Sequence, residues 1–154
     1  MKIMFDTNAF DHLLDKGGNY REFFTRTSQR FQYYVTATQI EEIAQIGDKK
    51  QEGRIQKTLC LVAMKPEIVN TDIVLGSGRL GFIQFADESD TTYEDLLTDA
   101  KTNVNDAMIG AAAKREGCTV VTDDGPFSKK LKAQSIPTMT LDEFYALATC
   151  DSAP

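Results

Sequence analysis

Lys2-Ile3-Met4-Phe5-Asp6-Thr7-Asn8 begins as a short apolar run and stops abruptly at an acid. That is the pattern of a buried parallel strand emerging at its carboxyl end, and it puts Asp6 at the strand tip. The pattern returns at Cys118-Thr119-Val120-Val121-Thr122, which again ends in acids, Asp123-Asp124. Between the two and after the second, apolar runs alternate with stretches of helical spacing. This alternation predicts an α/β protein, a three-layer α/β/α sandwich around a mainly parallel sheet covered on both faces. Ligands in such folds bind outside the carboxyl ends of the strands where strand order reverses, so both acid-ended strands are expected to meet at one site.

Working outward, residues 9 to 15 and Tyr20 to Arg30 read as short helices broken by Gly17-Gly18-Asn19. Phe31 to Val35 reads as a strand rich in aromatic and β-branched residues. Thr38 can cap a helix carrying Ile40, Ile43, Ala44 and Ile46, with Glu41 and Glu42 in its first turn. A second helical stretch runs from Lys49 to Met64 and is closed by Pro66, before a short strand at Ile68 to Val69. Gly81 to Phe85 reads as an extra strand or hairpin arm inside an insertion of about residues 70–94. Helical patterning returns from Thr92 to Lys101 and from Asn103 to Glu116, the latter ending at Gly117 in an expected left-handed cap. A helix through Phe127 to Ala133, a strand at Ile136 to Met139 and a helix from Leu141 to Ala148 complete the pattern.

A length of 154 residues suits one domain, expected over residues 1–148 with 149–154 as a fraying tail. The balance of 42% hydrophobic and 26% charged residues excludes a disordered chain. No apolar run approaches the roughly 20 residues that span a bilayer, and an acid interrupts the amino terminus before a signal-peptide core can form. A soluble, cytoplasmic protein without a membrane partner is expected. Cys60, Cys118 and Cys150 are too few and too scattered for a disulfide framework and are read as reduced. A net charge of −6 argues against tracking of phosphates along a broad surface. It leaves room for a local basic strip beside an acidic pocket, where a bound cation would reverse the sign.

The acids gather in three places: Asp6, Asp123-Asp124, and Asp106 on the helix feeding the second acid-ended strand. A fourth acid comes from Glu41 or Glu42. Each has an ordinary role available, as a helix cap, a favourable charge in a first turn or a turn former. If they converge, however, two carboxylates about 4 Å apart repel by roughly 4 kcal/mol at an effective dielectric of 20, and a cation must offset this. Oxygen-only ligands suit Mg²⁺ or Mn²⁺, since zinc wants His or Cys and the lone His12 cannot supply a site. Such a cluster can generate a hydroxide nucleophile and neutralise charge at a phosphoryl centre, which is phosphodiester hydrolysis. The sequence contains no Gly-x-Ser-x-Gly elbow or Walker loop to suggest other chemistry.

Four stretches in order, Phe5-Asp6-Thr7-Asn8, Glu42-Ile43, Asn105-Asp106-Ala107-Met108-Ile109-Gly110-Ala111-Ala112-Ala113 and Val120-Val121-Thr122-Asp123-Asp124-Gly125-Pro126-Phe127, resemble the successive motifs of PIN-domain ribonucleases, including the VapC-type toxins. The resemblance implies a PIN-like α/β/α sandwich, a Mg²⁺ or Mn²⁺ site and endonucleolytic cleavage of RNA by a metal-activated water. Asp6, Glu42, Asp106 and Asp124 match its acidic set, with Asp6, Asp106 and Asp124 as metal ligands. Asn8 and Thr122 match polar positions that orient the acids, and Asp123 is a supplementary ligand or a partner of one. The family often forms homodimers, and its toxins are held by an antitoxin. This chain departs from the pattern in the length of the 70–94 segment and in the Asp123-Asp124 pair, which leaves a one-position ambiguity.

Among basic residues, Lys129, Lys130 and Lys132 follow the last acidic motif closely and are the candidate RNA contacts. Lys50, Arg54 and Lys57, and Arg26 with Arg30, form further strips at helical spacing. Two other functions compete. One is a PIN-like domain that binds without cleaving, whose mark would be a missing acid. The other is an aspartate-dependent phosphatase or phosphoreceiver, which normally sets a second acid near the first, where this chain has Asn8.

Overall fold

The structure is a computed structural model, and it describes residues 1–15, 20–47, 50–72, 83–84, 91–97 and 104–150. In chain order the elements are β1 (Lys2–Phe5), α1 (Ala9–Asp15), α2 (Tyr20–Thr27), β2 (Gln32–Thr36), α3 (Ala37–Ala44), α4 (Gln51–Met64), β3 (Glu67–Val69), β4 (Thr71–Asp72), β5 (Ile83–Gln84), α5 (Thr92–Leu96), α6 (Val104–Glu116), β6 (Thr119–Val121), α7 (Gly125–Ala133), β7 (Thr138–Met139) and α8 (Leu141–Thr149). The central sheet has the order β3-β2-β1-β6-β7, and every neighbouring pair is parallel. This is the expected α/β sandwich. The chain winds from β1 to one side through β2 and β3 and to the other through β6 and β7, so the order reverses between β1 and β6.

Period-two alternation builds a core on each face of the sheet. Ile3, Phe5, Tyr33 and Val121 face one layer, packed with Phe10, Phe24, Phe144 and Cys60. Met4, Tyr34 and Val120 face the other, with Ala107, Ile109, Leu131 and Ile136. Phe5 is the hub of an aromatic cluster: its ring lies edge-on to Phe144 at 5.1 Å and to Phe24 at 6.3 Å, and stacks on Tyr33 at 6.1 Å. Anchoring of this ring fixes the carboxyl end of β1, the residue before Asp6. Helix α6 is buried along Ala107 to Ala113, which is why its middle is nearly all small or apolar. At Gly110 an added Cβ would come within 2.4 Å of Leu96 Cδ1.

Several boundaries differ from the sequence expectation. Thr36, not Thr38, caps α3: its hydroxyl accepts from the Gln39 N–H while the Gln39 side chain accepts from the Thr36 N–H, a reciprocal capping box. The earlier start moves Glu41 and Glu42 out of the first turn, which contains no acid. Helix α2 stops at Thr27 rather than Arg30. Of the 70–94 segment, β4 and β5 pair in parallel as a separate ribbon, while residues 73–82 and 85–90 lie outside the described residues. So do 16–19, 48–49, 98–103 and 151–154, which include the expected Gly17-Gly18-Asn19 break and most of the expected tail, whose first residue, Thr149, is the last of α8. Cys60 and Cys118 are buried and Cys150 is exposed, all three as free thiols. No helix among the described residues is long and apolar enough to cross a membrane.

Gly117 meets its expectation: φ is +67°, and the N–H groups of Gly117 and Cys118 return to the carbonyls of Lys114 and Ala113. This cap turns α6 directly into β6. Replacing Gly117 by Ala is expected to cost about 1–2 kcal/mol, because only the left-handed backbone is penalised and the space around it is open. Urea denaturation of the variant checks this, and an unchanged midpoint refutes it.

Candidate functional site

The reversal point between β1 and β6 carries Asp6 and Thr122 side by side at the two strand ends. Asp6 is 2% exposed, and its Oδ2 accepts from the Thr122 hydroxyl at 2.9 Å. The same Thr122 oxygen accepts from the Asp124 N–H at 3.1 Å. One buried hydroxyl therefore ties the tip of β1 to the loop after β6. Burial pushes the Asp6 pKa up, opposed by the Thr122 hydroxyl and by the backbone N–H groups of Asn8 and Thr7. Asn8 is exposed and immediately precedes α1, so Asp6 is set back from the helix start.

Asp106 sits in the first turn of α6, half-buried, with its pKa pushed up to about 6. Burial is the largest cause, followed by the negative charges of Asp6, Asp124 and Glu42, with Lys130 acting in the opposite direction. These four acids come from the tip of β1, from α3, from α6 and from the loop after β6, and the charges of the other three all act on Asp106. Glu42 reaches the group from the second turn of α3, where its Oε2 accepts from the Thr7 hydroxyl at 2.9 Å. Asp124 combines two duties: it repels Asp6 and Asp106, and its Oδ1 caps α7 by accepting from the Phe127 N–H at 2.7 Å.

The adjacent acids diverge. The Oδ1 of Asp123 accepts from the Leu141 N–H at 3.0 Å, at the start of α8, and its charge is not among the main causes of the Asp6 and Asp106 shifts. The three lysines of α7 diverge as well. Lys130 acts on Asp106, Lys132 acts on Glu143, and Lys129 is exposed. Lys57 is buried against α1 with Nζ 3.0 Å from Asp11 Oδ2, and Arg30 donates to the carbonyls of Leu147 and Ala148. Those two basic residues of the further strips are bound into the fold.

Two supporting residues went unread in the sequence. Thr7, buried, holds Glu42. Gln39, also buried, donates Nε2 to the Phe5 carbonyl at 2.7 Å and so ties α3 to the end of β1. The Thr36-x-x-Gln39 spacing was the available signal for the second, since it is a capping-box pattern.

Among the described residues, no group of three or more His, Cys, Asp or Glu side chains is arranged to hold a metal ion. The four acids are nevertheless coupled electrostatically. The two observations are compatible, because Coulomb repulsion acts over longer distances than coordination does. What the chain assembles is an open acidic patch of oxygen donors, supported from behind by Thr7, Gln39 and Thr122.

Fold and site together define an α/β/α protein with an acidic centre at the reversal point of a parallel sheet. Residues 3–132 match the PIN domain, and the chain belongs to that family. The sheet and helices also superpose on a VapBC2 structure from Rickettsia felis bound to a DNA fragment from its promoter, with a TM-score of 0.52 and 15% identity over 91% of this chain and 98% of that one. A PilT N-terminus domain protein from the archaeon Sulfolobus solfataricus P2 gives a TM-score of 0.52 at 9% identity, covering 97% of this chain and 94% of that one. At such identities the likeness is one of fold. No curated protein sequence matches.

The folded chain holds the Asp106 proton more tightly than the unfolded chain does. Ionisation of this group therefore costs stability as pH rises from about 4 to about 6, and the cost is fully present above that window. Asp106→Asn, with divalent ions chelated, is expected to raise stability at pH 7 by about 1–2 kcal/mol, allowing for solvent screening of a half-exposed group. The gain should vanish below pH 4. Thermal melts across that range check it, and a destabilised Asp106→Asn at pH 7 contradicts it.

Proposed function

We propose that this chain is a metal-dependent endoribonuclease that hydrolyses RNA phosphodiester bonds, and that it acts as the toxin of a toxin–antitoxin pair. One observation carries the reading: Asp6, Glu42, Asp106 and Asp124, from four separate segments, share one electrostatic environment at the reversal point of the sheet. Such a concentration of negative charge is costly unless a cation offsets it. The donor set consists of carboxylate oxygens without imidazole or thiolate, which fits Mg²⁺ or Mn²⁺ and not zinc. The shift of Asp106 to about 6 has the same sense, since an uncompensated carboxylate is held partly protonated.

Asp6, Asp106 and Asp124 would hold the ion, with Glu42 beside them. A Mg²⁺ or Mn²⁺ ion bound there supplies a water of lowered pKa and neutralises charge developing on the phosphoryl oxygens. Within the chain, Thr122 keeps the Asp6 carboxylate aimed as an acceptor, and Thr7 does the same for Glu42. Asn8, just before α1, helps to orient Asp6 through its backbone N–H. Asp123 braces the loop against α8 and thereby supports Asp124 from behind. Lys130 is the cation whose charge reaches the acids, which makes it the best suited of Lys129, Lys130 and Lys132 to meet a substrate phosphate. RNA docking through even a few such contacts is still salt-sensitive.

Membership of the PIN family supports nuclease chemistry. The VapBC2 structure with the same fold supports an antitoxin partner, since that protein is a complex captured on its promoter DNA. A homodimer fits the same family, as does action in the cytoplasm.

The test is incubation of the purified chain with structured and unstructured RNAs in Mg²⁺, in Mn²⁺ and in chelator. Cleavage is expected with either ion and is lost in chelator. Asp6→Asn should lower the rate by about a hundredfold or more. Cleavage that survives chelation, or that is unchanged in Asp6→Asn, refutes the reading.

A further inference from the structure

The last rung between β1 and β2 runs through a side chain. Where the two strands begin, the Gln32 N–H donates to the Met1 carbonyl at 2.9 Å, and the parallel pattern repeats every second residue, which brings the Thr36 N–H opposite the Phe5 carbonyl. The register of this pair nevertheless ends at Met4↔Tyr34, whereas on the other side of β1 it continues to Phe5↔Val121. Gln39 fills the place. Its Oε1 accepts from the Thr36 N–H at 3.0 Å, and its Nε2 donates to the Phe5 carbonyl at 2.7 Å. With a donor on one side and an acceptor on the other, the amide has one possible orientation. Gln39 is 1% exposed, and its amide serves as an extra peptide group inserted where the strands part.

Two consequences reach the acids. The Phe5 carbonyl and the Asp6 N–H belong to one planar peptide unit. That N–H donates to the Val121 carbonyl at 2.9 Å while the carbonyl accepts from Gln39, so the peptide leading to Asp6 is held from both sides. On α3, Glu42 follows Gln39 by three positions and lies on the same face of the helix. The bond from the Thr7 hydroxyl to Glu42 joins the same two segments a second time. Residues 5–7 and 39–42 thus close a ring through two side-chain bonds, and one amide spans the distance between the tip of β1 and α3.

We infer that Gln39 is a positioning residue of the acidic centre: its amide, wedged between the ends of β1 and β2, sets the direction of Asp6 and the reach of Glu42. Its part in cleavage rests on the hydrolase reading, while its hold on the two carboxylates does not. A helix cap explains only half of what the side chain does. The capping box uses Oε1 and is made equally well by glutamate, so it places no demand on Nε2. The Phe5 carbonyl does, because a carboxylate there would set acceptor against acceptor. Gln39→Glu therefore keeps the cap and the volume and removes one bond. Gln39→Met removes both bonds without adding charge.

The test compares these two variants with the unmodified full chain. The first measurement is made in chelator, well above the pH range in which Asp106 titrates, by NMR of the side-chain carboxyl carbons. Both variants are expected to move the Asp6 and Glu42 resonances and to leave that of Asp123, which turns toward α8, in place. Native resonances report folded molecules only, so a less stable variant remains readable. The second measurement is RNA cleavage in Mn²⁺, where kcat per folded molecule should fall about tenfold or more with KM within about twofold. A residue that merely supports the fold gives the opposite pattern: a lower urea midpoint, Asp6 and Glu42 resonances that do not move, and unchanged kcat per folded molecule. That result overturns the inference, as does a shift in Gln39→Glu that Gln39→Met does not share, since added charge alone then explains it. If the unmodified chain fails to cleave RNA, the hydrolase reading falls, and the carboxyl resonances still decide whether Gln39 holds the two acids.

Discussion

Mutual repulsion among carboxylates is the constraint on which the site depends. Parallel strands present their carboxyl ends together, and strand order reverses between β1 and β6. Asp6 after β1 and Asp124 after β6 repel each other there. The chain adds Asp106 and Glu42 from α6 and α3, raising the electrostatic cost further. A fold selected for stability alone would avoid this arrangement, since the charges of Asp6, Asp124 and Glu42 shift Asp106, and that of Asp124 shifts Asp6, toward protonation. Its persistence is a reason to read the patch as functional rather than structural.

The scaffold resists that repulsion through short hydrogen bonds from buried hydroxyl and amide groups. Thr122 joins the two strand ends, Thr7 holds Glu42, and Gln39 fastens α3 to the last carbonyl of β1. Behind them the Phe5 ring is clamped by Phe144, Phe24 and Tyr33. Asp6 and Glu42 are thereby aimed by hydroxyls that are themselves buried. Every buried side-chain polar atom among the described residues has a hydrogen-bond partner, so the acids are not held at the expense of orphaned groups nearby.

The same design separates two surfaces by sign. The acidic patch lies at the strand ends, whereas the grooves beside α4 carry Arg21, Arg54 and Lys65 around an exposed aliphatic stripe of Ile55, Leu59 and Val62. A small acidic protein can hold both because they are built on different elements: the patch on strand tips and the first or second turns of helices, the stripe on the outer face of a long helix. The two surfaces are nevertheless linked, since α1 and α3, which border the patch, also pack on α4.

The architecture was legible in the sequence because burial imposes periodicity. The runs ending at Asp6 and Asp124 and the small-residue stretch of α6 have no other good explanation than two covered sheet faces and a buried helix. The acids could be located for the same reason, since a strand end is marked where the apolar run stops. Direction was not legible. Which of two adjacent acids turns toward the site, Asp123 or Asp124, depends on where α8 begins, because the Leu141 N–H draws Asp123 away. That Glu42 reaches the patch from the second turn of α3 depends on the cap at Thr36 and on Thr7, thirty-five positions earlier in the chain. The sequence alone determined the fold class and the candidate acids, since periodicity and strand ends are local. Convergence was decided only by tertiary structure, because the direction of a side chain is set by hydrogen-bond partners that are distant along the chain.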